Sequence, residues 1–228
     1  MNRQGNLYTF IYSIVLVVLV AALLSIIAMW LQPTQNENIE NEKRQKILSS
    51  INISSTREES KALFEKYIIN QFVVNSKGDT IKDENAFTLD LAVEAQKPCE
   101  EKLMPVFVAN IDGAVKYILP VYGKGLWGPI WGYISMNEDK NSIYGAVFDH
   151  KGETPGLGAE IATPAFSNQF DGKTVFENGE MVAIEVEKGH GHTGTHEVDG
   201  ISGGTITSKG VENMLKTYLN CYESFLKK

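Results

Sequence analysis

The sequence contains few cysteines and has no excess of basic residues. Cys99 and Cys221 are the two cysteines among 228 residues, which excludes a disulfide-dense secreted scaffold and a metal centre built from cysteines. The two can still pair with each other, and the sequence leaves that open. Lysine and arginine total 21 against 28 aspartates and glutamates, a formal net charge of −7. Because neutralising phosphates requires a basic face, we expect no nucleic-acid partner.

The N-terminal segment holds a long apolar run. Phe10 to Leu31 comprises 22 residues, of which Tyr12, Ser13 and Ser25 are polar. At about 1.5 Å per residue, a helix of this length spans the roughly 30 Å hydrocarbon core of a bilayer. A cleaved signal has a shorter apolar run and a small-residue cleavage site. We therefore predict an uncleaved single-pass transmembrane anchor at residues 10–31.

The residues flanking this run predict the orientation and the domain limits. Arg3 and the amino terminus precede the run, and no lysine or arginine follows it until Lys43, so we expect residues 1–9 in the cytoplasm and the rest of the chain outside. Residues 32–45 are polar and include a proline, which is typical of a linker. Residues 46–228 suffice for one extracytoplasmic domain.

Strand and helix patterns alternate in this domain. Thr56 and Glu59 form a capping box before a helix, Asp112-Gly113 indicates a hairpin turn, and apolar residues from Val211 to Leu226 keep helical spacing. Strands are expected at Gln71–Asn75, Met104–Asn110, Ala114–Val121, Tyr144–Phe148 and Met181–Glu187, with a short helical piece at Pro164–Phe170. The order predicts an α+β fold with one mixed, largely antiparallel sheet and flanking helices.

A glycine-rich loop, residues 198–210, precedes the C-terminal helix. Its small residues allow a ligand to approach the backbone, and the helix N-terminus attracts an anion. Thr205, Thr207 and Lys209 add donors for a phosphate. The same residues are also typical of an ordinary helix cap with a flexible turn, which the loop chemistry alone favours.

Two further loops contain candidate ligand contacts. In residues 151–158, Glu153 and Thr154 can bond a planar ligand, although Pro-Gly and Lys-Gly also mark plain turns. In residues 123–132, Trp127 and Trp131 can stack on a ring or simply fill a core.

Three histidines, His190, His192 and His196, lie near Glu197 and match the number of ligands that zinc needs. They alternate with glycine and threonine without fixed strand or helix spacing. We therefore predict no metal site.

Taken together, the single anchor, Gly125-Leu-Trp127, Glu153–Gly158 and Asp199–Thr205 resemble the family of C subunits of the Na+-translocating NADH:quinone reductase. In that family, the final threonine of the pattern D-x-x-[ST]-G-A-T carries FMN through a phosphoester bond. The resemblance implies an FMN-binding domain in which Thr205 is the acceptor. Gly204 departs from the alanine that the family usually has, which adds flexibility but no clash.

The resemblance also implies the remaining cofactor-binding residues. Ser202, Gly203 and Gly204 form the close-approach loop, and Thr154, Leu157, Gly158 and Trp127 contact the flavin ring. Asp199, Thr207, Lys209 and Glu153 complete the expected cofactor-binding set. Because a threonine hydroxyl without an adjacent base is a poor nucleophile, a separate enzyme is expected to attach the FMN. The resemblance implies that this enzyme is a Mg2+-dependent flavin transferase that uses FAD and works outside the cytoplasm.

By the same resemblance, the chain relays electrons within a complex that oxidises NADH, reduces quinone and exports Na+. It would lie in the bacterial inner membrane with its domain in the periplasm, among the other subunits of the complex. We expect no catalytic residue and no NADH site on this chain, so NADH would be oxidised on another subunit. Two alternatives stay open: the G subunit of the ferredoxin:NAD+ oxidoreductase complex, and a non-redox anchored domain that binds a phosphorylated ligand.

Overall fold

The computed structural model describes residues 5–189, 191 and 194–228. The chain forms two compact units, with the boundary between Lys43 and Arg44. Arg3, on which the predicted orientation depends, lies outside the described residues.

Helix α1 comprises Asn6–Ser50, and its part up to Lys43 forms the first unit. All residues from Phe10 to Leu31 are exposed, and the helix is long and apolar enough to cross a membrane. Residues 32–45, predicted as a linker, are helical. The segment has no glycine and is rich in glutamate, glutamine, lysine and arginine, whose helix propensity outweighs the single Pro33. The anchor limits at 10 and 31 stay a prediction.

The second unit is built on one antiparallel sheet of six strands in the order β2-β1-β3-β4-β5-β6. Its strands are β1 (Ile68–Val74), β2 (Thr80–Ile81), β3 (Met104–Ile111), β4 (Ala114–Lys124), β5 (Pro129–Met136) and β6 (Ile143–His150). Four short strands pair outside it: β7 (Phe176–Glu177) with β8 (Glu180–Met181), and β9 (Glu185–Glu187) with β10 (Glu197–Asp199). The helices are α2 (Arg57–Tyr67), α3 (Leu91–Glu94), α4 (Pro164–Ser167) and α5 (Thr205–Leu226), with 3₁₀ turns at Cys99–Glu101, Gly158–Ala162 and Asn168–Phe170.

Both faces of the six-stranded sheet are buried, each in its own hydrophobic core. Successive strand residues point to opposite sides, so Val106 and Leu119 join the core shared with α5, whereas Phe107 and Ile118 join the core that contains Ile47 at the end of α1. Helix α5 contributes Met214, Leu215, Tyr218, Leu219 and Tyr222 to the first core. The fold therefore fixes α5 across β4, with its N-terminus next to the β4–β5 connection.

The sequence predicted α2, α5 and four of the six strands of the large sheet, β1, β3, β4 and β6. The single strand expected at Met181–Glu187 is divided between β8 and β9, and residues 182–184 are not in a strand. The capping box is present, with Thr56 and Glu59 side chains each accepting from the other's backbone N–H at 3.3 Å. The hairpin turn at Asp112-Gly113 joins β3 to β4 with positive φ at both residues. Strand β5 was missed, because Pro129, Trp131 and Gly132 resemble an irregular loop, yet it lies inside the sheet between β4 and β6.

Candidate functional site

The glycine-rich loop ends earlier than the sequence predicted. Helix α5 begins at Thr205, so residues 205–210 are its first turns and not part of a loop. Gly210 is tolerated there because its missing side chain lets the helix approach the backbone of Lys124 and Gly125. Gly204 is the N-cap and makes no side-chain capping bond. The first amides of a helix have no acceptor within the helix, and here Gly204 supplies no capping oxygen to them. Such a helix N-terminus attracts an anion.

Helical geometry divides the first turn of α5 into two faces. Thr205 and Ile206 are exposed, whereas Thr207 and Ser208 are buried. The Thr207 hydroxyl donates to Glu153 Oε2 at 2.7 Å, and Ser208 Oγ accepts from the Ile201 N–H at 2.9 Å. The two buried hydroxyls hold neighbouring loops, and the two exposed side chains face the surface.

Two cavities meet at Thr205. Cavity A has a volume of about 380 Å³ and cavity B one of about 330 Å³; both include Gly203 and Thr205 in their walls. Cavity A is lined by Leu126, Trp127, Glu153, Thr154, Leu157, Gly158, Gly203, Gly204, Thr205, Ile206 and Thr207. Cavity B is lined by Val186, Glu187, Lys188, Gly189, Gly200, Ile201, Ser202, Gly203, Thr205, Ser208 and Lys209.

The three loops singled out in the sequence thus come together at cavity A. The β4–β5 turn supplies Leu126 and Trp127, and α5 supplies residues 205–207. The segment after β6 supplies Glu153, Thr154, Leu157 and Gly158. Trp127 is 69% exposed at the rim, so it does not fill a core. Trp131, by contrast, lies on β5 within the sheet.

Comparison with known proteins assigns this arrangement to a family. Residues 125–220, which span all three loops, match the family model described as FMN-binding domain. The C subunit of the Na(+)-translocating NADH-quinone reductase of Vibrio vulnificus (strain YJ016) is 33% identical over 215 residues, covering 86% of this chain and 84% of that protein. The chain belongs to this C-subunit family.

Solved structures of the C-subunit family share the fold. The C subunit of the Na(+)-translocating NADH-quinone reductase from Parabacteroides distasonis ATCC 8503 is 49% identical to this chain, with a TM-score of 0.81. The match covers 87% of this chain and 98% of the Parabacteroides chain. Shewanella oneidensis NqrC is 26% identical to this chain, with a TM-score of 0.70, and the match covers 82% of this chain and 96% of the Shewanella chain. The predicted α+β fold, with its N-terminal apolar helix and antiparallel sheet, is confirmed.

Three residues of the predicted cofactor set lie away from cavity A in this member of the C-subunit family. Lys209 lines cavity B, where its Nζ lies 2.5 Å from Glu212 Oε1, and this hydrogen bond raises the pKa of the Lys209 ammonium. Asp199, at the end of β10, lines neither cavity, and its carboxylate accepts from the Gly191 N–H at 2.8 Å. Ser202 lines cavity B only.

The histidine segment gives no metal centre among the residues that the structure describes. His196 Nδ1 lies 2.6 Å from the Thr174 carbonyl oxygen, and Glu197 accepts from the Gly194 N–H at 2.9 Å. His190 and His192 lie outside the described residues.

Several cavity residues were not predicted from the sequence. Leu126 and Ile206 line cavity A and are 46% and 61% exposed. Residues 186–189 form one wall of cavity B. Exposed apolar residues beside glycines are a usable signal for the first two, whereas the pairing of β9 with β10 that brings residues 186–189 to the site has no local signature.

Proposed function

We propose that this chain is the electron-relay C subunit of a Na+-translocating NADH:quinone reductase and carries FMN covalently on Thr205. One observation carries the proposal: Thr205 is the exposed first residue of an uncapped helix and lies where cavities A and B meet. A hydroxyl in this position is open to modification. The ligand attached to it has an apolar-rimmed cavity within reach.

The attachment step balances as a phosphoryl-type transfer from FAD. The Thr205 oxygen forms a bond to the phosphorus of the FMN half, the bridging P–O bond of the diphosphate breaks, AMP leaves, and the hydroxyl proton is released. The buried Glu153 carboxylate already accepts from the Trp127 N–H and the Thr207 hydroxyl, so it is not placed to deprotonate Thr205, which favours an external flavin transferase. The product phosphodiester keeps one negative charge, which the free amides and positive dipole of the α5 N-terminus stabilise.

The residues present fit an FMN group. Gly203 and Gly204 line cavity A beside the acceptor, and a β-carbon at Gly203 would collide with Leu157 Cδ2. Leu157, Thr154 and Trp127 offer apolar and hydrogen-bonding surface for a planar ring in cavity A. FMN would supply the redox chemistry, and the protein would supply attachment and orientation. The rim residues Trp127 and Ile206 are exposed, so a flavin held in cavity A would be accessible to a redox partner.

The disulfide supports the proposed extracytoplasmic location. Cys99 and Cys221 are bonded, and the described chain has no free cysteine. Structural disulfides persist in oxidising compartments such as the bacterial periplasm. With an N-terminal anchor in the inner membrane, the Arg44–Lys228 unit would face the periplasm and the other subunits of the complex. Na+ export is then a property of the assembled complex, to which this chain contributes electron transfer.

The experiment is to assemble the complex in membranes, with the flavin transferase present, and to compare NADH with reduced ferredoxin as electron donor. The proposal expects NADH-dependent quinone reduction and a fluorescent flavin that remains on this chain after denaturing electrophoresis. Activity with ferredoxin alone would indicate the alternative, the G subunit of the ferredoxin:NAD+ oxidoreductase complex. A chain without any flavin would indicate the non-redox phosphate-binding alternative.

A further inference from the structure

We infer that Glu153 is a positioning residue that locks the acceptor helix to the rim of cavity A. This inference rests on the proposed function, because it concerns how the site holds the flavin. The sequence suggested that Glu153 contacts a ligand directly. Its contacts indicate a different role.

Both carboxylate oxygens of Glu153 are engaged inside the protein. Oε1 accepts from the backbone N–H of Trp127 at 2.9 Å, and Oε2 accepts from the Thr207 hydroxyl at 2.7 Å. The Glu153 N–H donates to His150 Nδ1 at 3.2 Å, which fixes the residue at the end of β6. One side chain therefore connects the segment after β6, the β4–β5 turn and α5.

The carboxylate is also enclosed. Glu153 is 5% exposed and Thr207 is 1% exposed. A β-carbon at Gly125 would collide with Oε1, and a β-carbon at Gly158 would collide with Oε2 and with the Thr207 hydroxyl. The Glu153 carboxylate therefore fits only because residues 125 and 158 have no side chain. A buried charge is tolerated only when it is hydrogen-bonded, so breaking either bond is costly.

This link determines how the two functional parts of the site face each other. Thr207 lies two residues after the acceptor Thr205 on the same helical turn, and Trp127 is the exposed aromatic at the rim of cavity A. Because Glu153 accepts hydrogen bonds from both Thr207 and Trp127, it sets the position of the attachment point, Thr205, relative to the wall of cavity A that would bind the flavin ring. Loss of the link leaves the acceptor present and changes the environment of the attached ring.

The test compares two disrupting variants with two conservative ones in the full-length chain in detergent micelles. Glu153→Ala removes the link, and Thr207→Val removes the hydroxyl without changing the side-chain shape. Glu153→Gln keeps one oxygen for the Trp127 N–H and an NH₂ group for the Thr207 oxygen, and Thr207→Ser keeps the hydroxyl. Glu160→Gln is a matched control, because Glu160 is on the same segment and accepts from the exposed Gly156 N–H.

The first readout needs no flavin: hydrogen exchange of the Trp127 amide. We expect the Trp127 amide to exchange at least tenfold faster in Glu153→Ala, which removes the acceptor of this N–H. It should exchange more than threefold faster in Thr207→Val, in which the Glu153 carboxylate loses its bond to α5, and within threefold of the parent in the three other variants. Equal rates in the disrupting variants and the parent would overturn the link. Thr207→Val keeps the test decisive if Glu153→Ala does not fold.

The second readout is the visible circular dichroism and fluorescence yield of the attached flavin, normalised to flavin per chain. We expect both disrupting variants to change these signals at least twofold and the conservative variants to retain them. Faster Trp127 exchange with unchanged flavin signals would overturn the positioning role. A parent chain without attached flavin would instead contradict the proposed function, and the exchange result would still decide whether the link exists.

Discussion

Cys99 and Cys221 are bonded to each other across 122 residues, with their α-carbons 5.5 Å apart. The bond ties the 3₁₀ turn before β3 to the buried face of α5. Helix α5 starts with the proposed acceptor Thr205, so the disulfide holds the helix that presents it. Tyr222, next to Cys221, adds a hydrogen bond from its hydroxyl to the Pro105 carbonyl at 2.7 Å.

Removing the disulfide should destabilise the Arg44–Lys228 unit. We expect the double variant Cys99→Ser, Cys221→Ser to lose about 2–4 kcal/mol of unfolding free energy, chiefly because the unfolded chain is no longer cross-linked. Urea unfolding of the two proteins measures the difference. Reductant should bring the parent to the level of the double variant and leave the double variant unchanged; equal stability of the oxidised parent and the variant would contradict this account.

Alanine, which the flavinylation pattern predicts before the acceptor, should be tolerated at Gly204. A β-carbon there lies 3.0 Å from Cβ and Cγ2 of Ile201 and 3.3 Å from the Gly158 nitrogen, so a small shift of the half-buried Ile201 accommodates it. We expect Gly204→Ala to be flavinylated to within twofold of the parent, as measured by flavin absorbance per chain. Gly204→Val, with two more carbons in the same contact, should be modified much less. Loss of flavin in the alanine variant would show that the tight contact decides modification.

The enclosure of Glu153 predicts a contrast between two nearby glycines. Gly158→Ala forces a β-carbon against Glu153 and Thr207, whereas Gly152→Ala adds one where nothing lies within 4 Å. We expect Gly158→Ala to lower the unfolding free energy by about 1–3 kcal/mol and Gly152→Ala to change it by less than about 0.5 kcal/mol. Thermal unfolding followed by circular dichroism checks both. Similar melting temperatures for the two variants would argue against the enclosure.

The sequence predicted those parts of the fold that have local signatures. The capping box at Thr56 depends on residues three apart, and the hairpin at Asp112-Gly113 depends on a turn pair, so both are readable without tertiary structure. Strand β5 was missed because burial between β4 and β6 overrides the weak strand propensity of Pro129 and Gly132. The first turn of α5 was missed because threonine and glycine are weak helix formers that packing stabilises here.

The site, like the fold, has parts that the sequence predicted and parts that depend on contacts between distant segments. The glycine-rich loop before α5 and the segment after β6 were identified as candidate ligand contacts from their residue types alone. The bond between Glu153 and Thr207 joins residues 54 apart in the sequence, and no pattern in either segment indicates it. The disulfide is a similar case, because pairing depends on a spatial separation that composition does not give.

The measurement that tests the central claim most directly is the intact mass of the full-length chain after co-expression with a flavin transferase, beside Thr205→Val under the same conditions. The account predicts that the parent gains the mass of one FMN less one water, that a peptide containing residues 205–209 carries the gain, and that Thr205→Val shows none. A parent mass equal to that of the unmodified chain, or a gain that persists in Thr205→Val, would contradict it.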